Sequence, residues 1–187
     1  NFEIRKHLLD YDDVMNTQRN YIYKKRDELL VDKNIIERVY QSSCEYSDSF
    51  ADDYFGNIKH LGKEAFTVLL KDLKETFFLD LNLQLRDHLS APDALKKALA
   101  DILKEELDQK DKVLDHDYLN GKLKELYLYL IDKLWQSHIE NMEQLREAVY
   151  LRSYSQKNPL VEYKIEGSNM FDALIDTISS RVINQIF

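Results

Sequence analysis

Between Tyr118 and Leu151 the sequence keeps a strict helical period with no glycine or proline after Gly121. Leu123, Leu126, Leu130, Leu134, His138, Met142, Leu145 and Val149 recur every three or four residues. That spacing puts one apolar stripe on one side of a helix. A second stripe follows at Tyr163, Gly167, Phe171, Leu174, Ile178, Val182 and Ile186. Between them Asn158-Pro159 offers a helix cap and a first-turn proline. Two helices of similar length joined by about seven residues form an antiparallel hairpin. Gly167 lies on the buried stripe and costs helix propensity there. It predicts a close approach of two backbones.

The amino-terminal segment predicts a third long helix, from about Phe2 to Leu30, with apolar positions at Ile4, Leu8, Tyr11, Met15, Ile22 and Leu29. It is interleaved with Asp12, Asp13, Asn16, Gln18 and Arg19, more hydrogen-bonding capacity than a solvated face needs. Such a helix suits bracing against other protein surfaces. Asp32-Lys33-Asn34 predicts a turn, and a second helix runs to about Asp53, ended by Gly56. A third spans about Ile58 to Phe77. The alternating run Leu79–Leu85 has no strand to pair with and reads as an extended loop. Ser90-Ala91-Pro92 opens a helix carrying Leu95, Leu99, Ile102, Leu103 and Leu107, which fades into the polar stretch 108–117.

The expected fold class is therefore all-α: a long helix packed with an antiparallel two-helix hairpin, plus an inserted small helical subdomain. Only 4 glycines and 2 prolines in 187 residues agree with that. The boundaries are 1–32, 33–117 and 118–187.

Composition excludes several functions. A net charge of −8 argues against general nucleic-acid binding, which needs a basic surface. One cysteine, Cys44, makes no internal disulfide and suits a reducing compartment. No 18-residue apolar run marks a transmembrane segment. The chain opens on Asn1 and enters a helix at once, as a piece of a longer protein would.

Catalytic signals are weak. Gly56 to Glu64 resembles a phosphate-binding loop, but five residues separate its glycines and Glu64 stands where Ser or Thr would hold magnesium. None of the five histidines lies in a His-Glu-x-x-His or Glu-x-x-His pattern. Asp12 and Asp13 diverge by about 100° on a helix and suit two separate bonds. No catalytic residue, metal site or cofactor is expected in this chain. Trp135 and His138 read as packing residues, with Met142, Gly167 and Phe171 beside them. The hairpin turn, Leu151 to Asn158, sets Tyr154 among polar and basic groups, and Arg146 to Lys164 holds four basic residues against two acidic. A solvated loop with an incidental tyrosine meets that pattern as well as a probe pressed on another protein does.

Two motif sets carry a family resemblance. Arg5-Lys6 through Asp12-Asp13-Val14-Met15-Asn16, Gln18-Arg19, Ile22-Tyr23 and Arg26 resemble the long scaffold helix of the SecA preprotein translocase ATPases. Leu134-Trp135, His138, Met142, Leu145-Arg146, Leu151-Arg152, Tyr154, Gln156-Lys157, Pro159, Glu162-Tyr163-Lys164, Glu166 and Met170-Phe171 resemble that family's two-helix finger. The segment between has the helical-wing character with little residue-level likeness.

The resemblance implies a scaffold helix (1–32), a helical wing (33–117) and a finger completing the scaffold (118–187). It further implies that Arg5, Tyr11, Asp12, Asp13, Asn16, Gln18 and Arg19 contact the motor's nucleotide-binding domains. The tip residues Arg152, Tyr154, Gln156 and Lys157 would meet the SecYEG channel and the translocating preprotein. The hairpin would also brake ATP hydrolysis. ATP and magnesium would bind to other domains of the parent, which would sit peripherally at the cytoplasmic face of the bacterial inner membrane. Ala148 and Ser153 replace glycines usual in the finger, and Asn158 replaces an acidic residue, so a stiffer tip is expected. A competing expectation is a stand-alone helical adaptor that binds partner helices along its 4-8-11-15 stripe. In either case the exposed first helix offers a face for self-association.

Overall fold

The computed structural model describes residues 2–77, 91–152 and 158–187, with side chains from Leu8 onward. Those residues hold six helices and no strand: α1 (Phe2–Val31), α2 (Ile35–Phe55), α3 (Lys63–Phe77), α4 (Pro92–Leu114), α5 (His116–Arg152) and α6 (Pro159–Ile186). The all-α expectation is met. The Leu79–Leu85 run, Ser90, Tyr154, Gln156, Lys157 and the side chains of Ile4 and Arg5 lie outside the described residues.

Two helix ends differ from expectation. α3 begins at Lys63 rather than Ile58, because Gly56 takes a positive φ of 50° and the chain turns through Ile58, whose N–H donates to Phe55 O. Only at Gly62, whose carbonyl accepts from Phe66 N, does the helical ladder restart. α4 does not fade after Leu107 but continues to Leu114. Its polar length carries the i,i+4 pairs Lys104–Asp108 and Glu106–Lys110, which support an exposed helix face.

The chain divides into two compact units, one of residues 1–32 and 126–178, the other of residues 33–125 and 179–187. In the first unit α1 lies against both arms of the hairpin. Arg26 pairs with Asp132, Gln18 with His138 and Asp12 with Arg146, so numbers fall on α5 as they rise on α1. The two helices are antiparallel. Against α6 the numbers rise together, Tyr11 beside Tyr163 and Tyr21 beside Phe171, as a parallel pair requires. Met142, Leu145, Val149 and Tyr163 form a buried cluster capped by Tyr11, Val14, Met15 and Met170.

The second unit is built differently. α2 turns Ser43, Ser47 and Ala51 inward, and α4 answers with Leu95, Leu99 and Leu103. Small residues at four-residue spacing let the leucine ridge settle into a groove. The serine hydroxyls donate to the α2 carbonyls of Val39 and Cys44, so their burial leaves no donor unmet. Phe55, Phe66, Leu69, Leu73 and Phe77 complete that core, with Ile183 from the end of α6. Caps hold the ends. Asn34 accepts from Glu37 N, and Asn120 joins two elements by donating to Lys33 O and accepting from Ile36 N.

Candidate functional site

The residues expected to pack the hairpin converge in the first unit on one polar group. Positions 11, 15, 18, 22 and 29 of α1 keep the apolar spacing, and the third of them is glutamine. Gln18 is 6% exposed. Its Nε2 donates to Gly167 O at 3.1 Å, and its Oε1 lies 2.8 Å from His138 Nε2. Since the amide nitrogen is committed to a carbonyl, the amide oxygen accepts, and the His138 proton sits on Nε2. One side chain thus ties α1 to both hairpin arms.

Packing around the amide is aromatic. Trp135 and Phe171 flank His138 with ring centroids 5.5 and 5.7 Å away, and Tyr21 meets Phe171 edge-on at 5.5 Å. Burial pushes the His138 imidazole below its usual range, so it is neutral at pH 7. Gly167 makes room for a side chain and not for the second backbone that its place on the stripe predicts. A Cβ at Gly167 would stand 2.6 Å from Met142 Cε, so it is the fully buried Met142 side chain that uses the space.

Gln18 therefore faces inward, although the resemblance places it among the outward docking residues. Its polarity serves the three-helix contact. Tyr11 is also half-turned inward, its ring tilted against Tyr163 with centroids 4.9 Å apart and the Arg146 guanidinium 5.1 Å over it. Burial raises its phenol above the usual range, partly opposed by Arg146. Asp12 is paired with Arg146 at 3.6 Å, Asn16 accepts from Arg19 at 2.9 Å, and Asp13 O accepts from Thr17. Leu8, expected on the packing stripe, is about half exposed.

Opposite this contact, α1 presents Leu9, Asp13, Asn16, Tyr23, Leu30 and Val31, all exposed. The outer face mixes large apolar side chains with carboxylate and amide groups. Such a face suits protein contact better than open water.

At the hairpin end, Asn158 Oδ1 accepts from Leu160 N at 3.0 Å and Val161 N at 3.4 Å, the cap its sequence predicts. Arg152 reaches across to Glu166 at 2.5 Å and ties the last turn of α5 to α6. Just below lies a cleft of about 1010 Å³ lined by Leu8, Tyr11, Arg146, Tyr150, Leu151 and Leu160, with Glu143 and Glu147 among them. Among the described residues no group of three His, Cys, Asp or Glu is placed to hold a metal ion, and no helix is long and apolar enough to cross a membrane.

Residues 1–187 match the SecA Wing and Scaffold domain family. The chain belongs to that family. It is 40% identical over 193 residues to the protein translocase subunit SecA of Treponema denticola, covering 100% of this chain and 20% of that protein. The Treponema pallidum SecA is 36% identical over 190 residues, and that of Borreliella burgdorferi strain B31 40% over 190, with the same coverage. The chain spans about a fifth of the length of these SecA relatives.

Sequence reasoning gave Arg146 and Asp132 no partner, and each is bonded to α1. Their signal was faint: an arginine and an aspartate beside an apolar stripe, with no way to tell which helix they answer.

Proposed function

We propose that this wing and scaffold chain is a mechanical and regulatory part of a protein translocase motor. In this reading α1 packs along the nucleotide-binding domains of the parent, and the hairpin carries the tip residues Arg152, Tyr154, Gln156 and Lys157 to the SecYEG channel and the translocating polypeptide. The parent works at the cytoplasmic face of the bacterial inner membrane and supplies the ATP and magnesium sites. The chain restrains hydrolysis and contributes no catalytic group.

The observation that supports this most is the division of labour on α1. One face is consumed by the hairpin through Tyr11, Met15, Gln18 and Arg26, and the opposite face keeps Leu9, Tyr23, Leu30 and Val31 exposed. A helix of 30 residues, about 45 Å long, then serves as a rigid strut between the hairpin and whatever covers its outer side.

The test measures ATP hydrolysis by a motor core lacking this region, with and without the purified chain, after circular dichroism has established that the chain is helical. Binding with a lowered rate is the expected result. Failure of a folded chain to bind the core would sink the strut reading. In the full-length motor, Tyr154→Ala should impair transport and leave ATP binding intact; normal transport would remove the tip assignment.

A further inference from the structure

We infer that Gln18 is a register pin: its buried amide holds α1 and the hairpin at one axial position, which the surrounding apolar packing alone does not select. The side chains that flank it on the inner face of α1 are Val14, Met15 and Ile22, all apolar. An axial slide of one turn, about 5.4 Å, would bring Val14 or Ile22 to the place of Gln18. Aliphatic contacts would re-form with other partners, at the loss of the Tyr11–Tyr163 and Tyr21–Phe171 ring pairs. The polar contacts would not.

After such a slide, Gly167 O would still accept its intrahelical bond, but His138 Nε2–H would face an apolar side chain. His138 is 4% exposed, so its N–H would have no water to turn to. Only the observed register gives that donor an acceptor. Two ion pairs agree with the register, Arg26–Asp132 and Asp12–Arg146, but all four side chains are at least 37% exposed and water screens them. A lone amide at an inward position of a helical interface is a known means of specifying register at some cost in stability. Gly167 separately fixes the two hairpin arms, α6 against α5. Its missing Cβ leaves room for Met142, and no other residue of α6 between Pro159 and Ile186 is a glycine.

The pin is tested on the whole chain by electron–electron distance measurement between spin labels at Asp27→Cys on α1 and Glu147→Cys on α5. The background is Cys44→Ser, which removes the one native thiol. The labels are offset along the helix axis, so sliding reads directly as a change in distance. The parent sequence should give one narrow distance. Gln18→Met, of matching length but without the amide, should add a second population displaced by about one turn, 5.4 Å. The double variant Gln18→Met/His138→Leu removes both polar partners. It should melt higher than Gln18→Met and still show two populations. If Gln18→Met fails to fold, the double variant decides alone. A single unshifted distance in the variant that folds would overturn the pin, since packing would then set the register.

Discussion

The two units bury comparable apolar stripes but use opposite means to make their packing unique. In the second, shape does the selecting: Ser43, Ser47 and Ala51 open a groove on α2 that Leu95, Leu99 and Leu103 fill. The only buried polar side chains there, among the described residues, are the two serines, and both bond to their own helix. In the first unit a glutamine and a histidine are buried at the contact of three helices and bond across it. Local satisfaction costs little and says nothing about the partner. Bonding across helices costs more and specifies the partner, which suits a unit whose helices are long enough to slip by a turn.

The largest effect that sharpens this contrast is loss of volume in the shape-selected core. Phe66 is 1% exposed, and Phe66→Ala should lower unfolding stability by about 3–5 kcal/mol in denaturant titration. A loss under about 1 kcal/mol would mean that this core tolerates voids and does not select by shape.

Next comes a pair of glycine substitutions expected to differ in sign. Gly167→Ala gains about 1 kcal/mol of helix propensity but overpacks against Met142, at a cost of about 1–3 kcal/mol. A net loss in melting temperature is expected. Gly121, on the exposed surface of α5, has nothing within 4 Å of an added Cβ, so Gly121→Ala should stabilise by about 1 kcal/mol. Equal gains at both sites would remove the close approach at Gly167.

A pH effect should belong to the first unit. His138 has its folded-state pKa lowered by burial, so the unfolded chain binds a proton more readily than the folded one. The sign follows: this contribution is present above the ordinary histidine value near 6.5 and is lost as pH falls from there toward the lowered folded value. Melting temperature measured down from pH 7.5 should drop across that window, and His138→Leu should flatten the drop. An unchanged slope in the variant would place the titration elsewhere.

The smallest effect concerns the surface. Arg26→Ala removes an exposed pair with Asp132 and should lower the melting temperature only slightly, an effect that fades with added salt. A larger, salt-independent loss would mean that this pair shares in setting the register.

Much of the molecule is legible in its sequence. The stripes of α5 and α6, the cap at Asn158 and the end of α2 at Gly56 are local matters of period, propensity and punctuation, and the structure reproduces them. The resemblance to SecA rested on short motifs at the two ends of the chain, and the family match covers all of it. The start of α3 was misjudged because the apolar Ile58 looks like the first residue of a stripe. Yet it is exposed, and Leu61 takes the buried place. The end of α4 was misjudged because Asp and Lys read as loop, where i,i+4 charge pairing sustains a helix.

The sequence by itself determined most of the helical segments and the buried stripes of α5 and α6, because backbone period is a property of neighbours in the chain. Only the tertiary structure decided what Gln18 is for. As one of many polar residues on α1 it looked suited to an outer surface, and it is buried because its two partners, His138 and Gly167, lie 120 and 149 residues away. A hydrogen bond needs its donor and acceptor about 3 Å apart, and no pattern within one helix can say which distant group will stand there.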